Sequence, residues 1–227
     1  MKVNHSIIAL GILFGLAPVG SATVIGFGQL GGSNTTVPAG LGSNAIADGN
    51  GFVVTNGITP NITLNWDVNW DIHTSNFFAP LESQTVGGGA WDNEGSVPRV
   101  GQLDVGTHSV GFSVGAGFAL ALNSFDFAHT AETAGTTEWN LTLTNSSTAI
   151  VWQMSLQFVN GSAVTVSPNF IGALGESYTL NFIRTSETYA SNGRHAIDNL
   201  SFNQVPEPGF AGLVGIAGLG LLSRRRR

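Results

Sequence analysis

From Thr107 onward the chain alternates. Thr107–Val114 (THSVGFSV), Phe118–Phe127, Glu138–Thr144, Ile150–Val159, Tyr178–Arg184 and His195–Phe202 each place apolar side chains at every second position. That is the period of a strand with one buried face. Turn residues separate them, as at Ala134-Gly135-Thr136 and Asn145-Ser146-Ser147. The first half is less regular. Val24–Leu30 and Gly51–Thr55 read as short strands, and Asn61–Val68 alternates. Residues 31–50 read as loop. Phe77–Val105, with Gly87-Gly88-Gly89 and Pro98, predicts long loops holding one or two short strands. Roughly nine to eleven strands, with no amphipathic helix between the termini, predict an all-β fold: an antiparallel jelly-roll β-sandwich. No repeat of fixed period is present, which argues against a propeller or solenoid. Phe112, Phe118, Phe125, Phe127, Trp139, Trp152, Phe158, Phe182 and Phe202 are the candidate aromatic core.

The two ends break this pattern. Lys2 leads a mostly apolar run over Ser6–Val19, and Gly20-Ser21-Ala22 follows with small residues. This order is that of a secretory signal peptide over residues 1–22, forming a signal helix and cut by signal peptidase after Ala22. At the other end stand Val205, Pro206, Glu207 and Pro208, then 14 small and apolar residues from Gly209 to Leu222, then Ser223 and Arg224, Arg225, Arg226 and Arg227. Proline fixes φ and cannot donate to a ladder, so the folded domain is expected to stop before Pro206, giving a sandwich over residues 23–204. The apolar run can form a short transmembrane helix whose arginines stay on the cytoplasmic side. As a helix it spans about 21 Å at 1.5 Å per residue, against about 30 Å of hydrocarbon. Its glycines weaken a helix further. A transient span fits these features better than a permanent anchor.

Residues 205–227 resemble the PEP-CTERM sorting signal of bacterial envelope proteins: tripeptide, apolar span and basic cluster occur in order. The resemblance implies processing near Pro206-Glu207-Pro208 by an exosortase, a membrane-embedded transpeptidase-like enzyme. It also implies delivery to the cell surface or extracellular matrix, often beside exopolysaccharide. Gly209–Arg227 is then expected to be absent from the working protein, leaving membrane contact transient. Ala196-Ile197-Asp198-Asn199-Leu200-Ser201-Phe202 is in turn similar to the closing strand of PEP-CTERM proteins with a galactose-binding-like or lectin-like jelly-roll body. That likeness implies a structural calcium at Asp198, with Asp48 in an early Gly/Asn loop as a possible partner. A carboxylate capping its own backbone is the alternative role for Asp198.

Composition narrows the chemistry. Charged residues make up 10% of the chain, against roughly 25% in an average soluble protein. Between Thr23 and Pro206 there are three arginines, no lysine and 13 acidic residues, a net charge of −10. Such a body repels a phosphate backbone, so nucleic-acid binding is disfavoured. No cysteine is present, which excludes disulfides and thiol chemistry. The histidines show no metal-binding spacing, and no G-x-S-x-G elbow occurs. Trp66-Asp67-Val68-Asn69-Trp70-Asp71 sets two tryptophans on one face of an extended chain, and Asp67 and Asp71 on the other. An aromatic face beside carboxylates is how many lectins hold a sugar ring. Trp91-Asp92-Asn93-Glu94 is a second such stretch. The alternative is that these tryptophans fill the core. The expectation is a non-enzymatic, exported surface or matrix protein that binds polysaccharide. A carbohydrate-active hydrolase on a lectin-like fold and a purely structural adhesin are the alternatives.

Overall fold

A computed structural model describes residues 21–27, 35–46, 53–55, 57–74, 85–86, 89–90, 99–103, 106–130, 136–159, 162–187 and 194–207. They belong to one compact unit, Gly20–Glu207. The expected signal helix and C-terminal helix lie outside the described residues. Among the described residues no helix is long and apolar enough to cross a membrane.

The strands are β1 (Thr23–Ile25), β2 (Thr35–Thr36), β3 (Val53–Thr55), β4 (Ile62–Trp66), β5 (Trp70–Thr74), β6 (Thr85–Val86), β7 (Gly89–Ala90) and β8 (Arg99–Leu103). Then come β9 (Thr107–Val114), β10 (Phe118–Thr130), β11 (Thr136–Asn145), β12 (Ile150–Val159), β13 (Ser162–Val166), β14 (Phe170–Ile171), β15 (Tyr178–Glu187) and β16 (Arg194–Pro206). One sheet has nine strands, in the order β13-β10-β16-β8-β5-β2, with β1 joining β16 to β3 and β14 on β10. The other has five, in the order β12-β11-β15-β9-β4. β6 and β7 form a separate hairpin. From β8 onward the chain changes sheet repeatedly: β9 joins the five strands, β10 the nine, β11 and β12 the five, β13 and β14 the nine, β15 the five and β16 the nine. All the registered pairs are antiparallel. The fold is an all-β sandwich of antiparallel sheets.

The alternating sequence pattern is also the burial pattern. In β4, Ile62, Leu64 and Trp66 are buried while Thr63 and Asn65 are exposed. In β11, Thr137, Trp139, Leu141 and Leu143 are buried between exposed or half-buried polar residues. The inward side chains of the two sheets meet in one core. A run of edge-to-face aromatic pairs crosses it: Phe27–Trp66 at 5.6 Å, Trp66–Trp70 at 5.2 Å, Trp70–Phe182 at 5.3 Å, Phe182–Phe127 at 5.8 Å and Phe127–Trp139 at 5.4 Å. Each such pair contributes about 0.5–1.5 kcal/mol beyond the area it buries. Trp66 and Trp70 sit on opposite sheets, as do Phe182 and Phe127, so the run fastens one sheet to the other. Gly101 in β8 makes room for it, because a Cβ there would lie 2.7 Å from the Phe27 ring.

The two margins of the five-stranded sheet differ. β4 is covered by the preceding turn: Trp66 N donates to Ala39 O at 2.9 Å and Asn44 N to Ile62 O at 2.8 Å. Between them the Ser43 hydroxyl accepts from Leu64 N at 2.8 Å and donates to Leu64 O at 3.1 Å. Side chain and turn together stand in for a sixth strand. At the opposite margin β12 pairs with β11, and the described residues place no strand beyond it.

The closing strand corrects one expectation. β16 does not stop before the prolines: Val205 lies opposite Ala119 and Pro206 opposite Phe118. Glu207 N still donates to Gly117 O at 2.7 Å. The reason is position. β1 flanks β16 only as far as Phe202, so among the described residues no strand lies beside Pro206 where its missing N–H would be needed.

Tyr178 fixes the turn before β15. Its hydroxyl donates to Glu176 Oε2 at 2.8 Å and accepts from Ala173 N at 2.7 Å. A Cβ at Gly172 would sit 2.5 Å from the Tyr178 ring. Burial, opposed by the Ala173 hydrogen bond and reinforced by Glu176, raises the phenol above its ordinary value. A group with a raised folded pKa stabilises the fold fully below its unfolded pKa, and that contribution is lost as pH rises through the folded value. Denaturation midpoints are therefore expected to fall as pH climbs beyond about 10. Tyr178→Phe should flatten that alkaline fall and cost about 1–2 kcal/mol at neutral pH. An unchanged alkaline slope in the variant would contradict the assignment.

Candidate functional site

The expected sugar platform is not formed by Trp66 and Trp70. Asp67, Val68 and Asn69 turn the chain between β4 and β5, so the stretch is not one extended strand. Asp67 builds that turn. One of its oxygens accepts from Asn69 N at 2.9 Å; the other accepts from Ser109 Oγ at 3.1 Å and from Ser109 N. The turn sends both indoles inward, where Trp66 is 2% and Trp70 0% exposed. Each indole N–H finds a carbonyl: Trp66 Nε1 donates to Leu41 O and Trp70 Nε1 to Ser109 O, both at 2.9 Å. Asp71 is half-buried in β5, opposite Thr36 and Gln102. Trp91 and Asp48 lie outside the described residues.

Asp198 is buried, and its register partner across the β10–β16 ladder is another buried carboxylate, Asp126. Both stand at an irregularity, where the register shifts between Ser124 and Asp126. Asn199, at φ 51°, takes the left-handed conformation that asparagine tolerates. Protein donors serve both acids. Asp198 Oδ1 accepts from Asn199 N at 2.8 Å. Asp126 accepts from Thr165 Oγ1 at 2.7 Å and from Asn199 Nδ2 at 3.0 Å. Calcium takes six to eight oxygens. Among the described residues no group of three or more His, Cys, Asp or Glu comes together, and Asp48 lies outside them. Asp198 caps its own backbone at a strand irregularity. Asp126 was legible only as a polar residue between two inward phenylalanines, Phe125 and Phe127.

His108 and His195 are both fully buried. His195 packs 4.8 Å from Trp139, and His108 packs 5.4 Å from Trp70. Of the sorting residues, Val205 and Pro206 end β16, Glu207 is exposed, and Pro208 with Arg224–Arg227 lies outside the described residues. Ala22 directly precedes β1.

The two outer faces of the sandwich are unlike. That of the nine-stranded sheet is buried at Val100, Ala128, Ala196 and Asp198. That of the five-stranded sheet is open, with Thr63, Asn65, Ser113, Glu138, Asn140, Gln153, Ser155 and Gln157 all exposed. Five strands at about 4.8 Å spacing make it about 19 Å wide. It is a lattice of amides and hydroxyls. Ser155 Oγ donates to Asn140 Oδ1 at 2.8 Å, and Gln157 Nε2 to Glu138 Oε1 at 3.0 Å. Asn181 Nδ2 lies 3.4 Å from both Thr142 Oγ1 and Thr144 Oγ1. The signal for this face was in the sequence as the polar half of each alternation, which by itself marks any solvated strand.

No protein-family model matches the chain, and no curated protein sequence matches it. Among solved structures it is similar to an arabinose-bound α-L-arabinofuranosidase (TM-score 0.40, 10% identity), covering 82% of this chain and 27% of that one. It is also similar to the CBM22-1 xylan-binding domain of Paenibacillus barcinonensis Xyn10C (TM-score 0.32, 9% identity; 78% and 98% covered). A third is TmCBM61 in complex with β-1,4-galactotriose (TM-score 0.28, 13% identity; 64% and 88% covered). The chain thus spans about a quarter of the arabinofuranosidase. The sandwich is assigned from its own strand pairing.

Trp66→Ala separates core from platform. Removing a fully packed indole is expected to cost about 3–5 kcal/mol in chemical denaturation. A loss below about 1 kcal/mol would return Trp66 to the surface.

Proposed function

We propose that the chain is an exported, non-enzymatic surface or matrix protein whose jelly-roll sandwich binds polysaccharide on the open face of the five-stranded sheet. One observation carries this reading: that face is broad, exposed and built mostly of amides and hydroxyls, with the carboxylate of Glu138 among them. Such groups both donate and accept, as sugar hydroxyls do. The acidic body, net −10 between Thr23 and Pro206, disfavours polyanions and points to a neutral polymer. The tryptophans are not part of this surface where they are described; Trp66 and Trp70 hold the core. The repeated changes of sheet from β8 to β16 support the jelly-roll type. Within the same proposal, residues 1–22 direct export and residues 205–227 act as a sorting signal processed near Pro206-Glu207-Pro208. The exposed Glu207, just beyond β16, fits a cut at the margin of the folded body.

Co-sedimentation of the full-length protein with insoluble neutral polysaccharides tests the binding. Asn140→Ala with Asn181→Ala is expected to weaken retention about tenfold while leaving the melting temperature within a few degrees, since outward polar residues contribute little to stability. Full retention by a folded double variant would move the site off this face. Mass spectrometry of the mature protein should find the C-terminus close to Pro208, with Gly209–Arg227 gone. An intact tail would refute the sorting proposal and leave the binding result untouched.

A further inference from the structure

We propose that β12 is a self-association edge, through which two copies of this chain pair antiparallel and join their five-stranded sheets into one of ten strands. β12 is a ten-residue strand, IVWQMSLQFV, without a charge, proline or glycine. Among the described residues it pairs only with β11. Every second residue of such a strand directs its N–H and C=O away from its single neighbour, where another strand can take them. Exposed edges are ordinarily blunted by lysine, proline, a short length or a covering loop. This sheet uses such a cover at its other margin, where Ser43 and the 39–44 turn close β4. Among the described residues β12 has none of these devices, and it leaves apolar surface in water: Ile150 is 56%, Val151 39% and Met154 40% exposed.

A second copy is the occupant because the strand complements itself. Trp152, Met154, Leu156 and Phe158 face Leu143, Leu141, Trp139 and Thr137 and so lie on the core side. Gln153, Ser155 and Gln157 face Thr142, Asn140 and Glu138 on the open side. A two-fold axis through Met154 sets Trp152 opposite Leu156 of the second copy, Met154 opposite Met154, and Gln153 opposite Ser155. Apolar meets apolar on the core side, and amide meets hydroxyl on the open side. No like charges oppose one another along the strand, although each body is strongly acidic. A slip of one residue would set Met154 against Ser155 and mismatch both faces. The joined sheet also extends the polar outer face across the two-fold axis. The pairing itself does not rest on that face binding a glycan.

Sedimentation velocity of the full-length protein without polysaccharide is expected to show a concentration-dependent dimer. Gln153→Lys with Ser155→Lys, two exposed positions, places like charges across the axis. It should raise the dimer dissociation constant at least tenfold with an unchanged circular dichroism spectrum. The chain has no cysteine, so Met154→Cys provides a second readout. Under mild oxidation it should give a disulfide-linked dimer, while Ser147→Cys at the β11–β12 turn gives little. A protein that stays monomeric at high concentration overturns the proposal. So does an assembly indifferent to both lysines, or Met154→Cys crosslinking no faster than Ser147→Cys.

Discussion

The sandwich depends on the edge-to-face aromatic run that crosses its middle. Trp66 and Trp70 meet at 5.2 Å from opposite sheets, and Trp70 passes the contact to Phe182 at 5.3 Å. Phe182 meets Phe127, which in turn meets Trp139 and Phe158, the last at 4.9 Å. The two sheets need such a fastening, because backbone hydrogen bonds hold strands within a sheet and not sheets to each other. The geometry of the run fixes what surrounds it. Gly101 must lack a side chain beside Phe27, and Asp67 must turn the chain tightly enough to place Trp66 on one sheet and Trp70 on the other.

That turn is where reading the sequence alone goes astray. The stretch from Asn61 to Asp71 alternates well enough to pass for one long strand, and it contains no glycine or proline to announce a break. The break is made by an Asp67 side chain whose decisive partner, Ser109, lies 42 residues away. No local pattern carries such a contact. The same holds for Asp126 and Asp198, 72 positions apart in sequence and brought opposite each other by the β10–β16 register. By contrast β9, β12 and the starts of β10 and β15 sit where alternation places them, and in β9, β12 and β15 one face lies toward the core and the other toward water. β13 and β14 are short additions along β10 and carry too few residues for a period to show. Pro206 belongs to the sheet because, among the described residues, its side of β16 has no neighbouring strand there, a fact of topology and not of proline chemistry.

With Trp66, Trp70 and Trp139 committed to the core, surface function among the described residues falls to what the sheets leave uncovered. The nine-stranded sheet is buried on both faces at several positions, while the five-stranded sheet is buried on one. Its open face carries hydrogen-bonding groups with little charge, and at one margin β12 has no further strand beside it among the described residues. The proposed glycan face and the proposed pairing edge lie on the same sheet, and together they would make a unit suited to repeated contact with a long polymer. Weak sites multiply their effect when they are linked.

The open face is tested most directly by following backbone amide resonances of isotope-labelled protein during titration with a soluble neutral oligosaccharide. The account predicts shifts clustered on Asn140, Thr142, Ser155 and Asn181, with Trp66 and Trp70 indole signals unmoved. Shifts centred on the indoles, or confined to residues away from the five-stranded sheet, would contradict it.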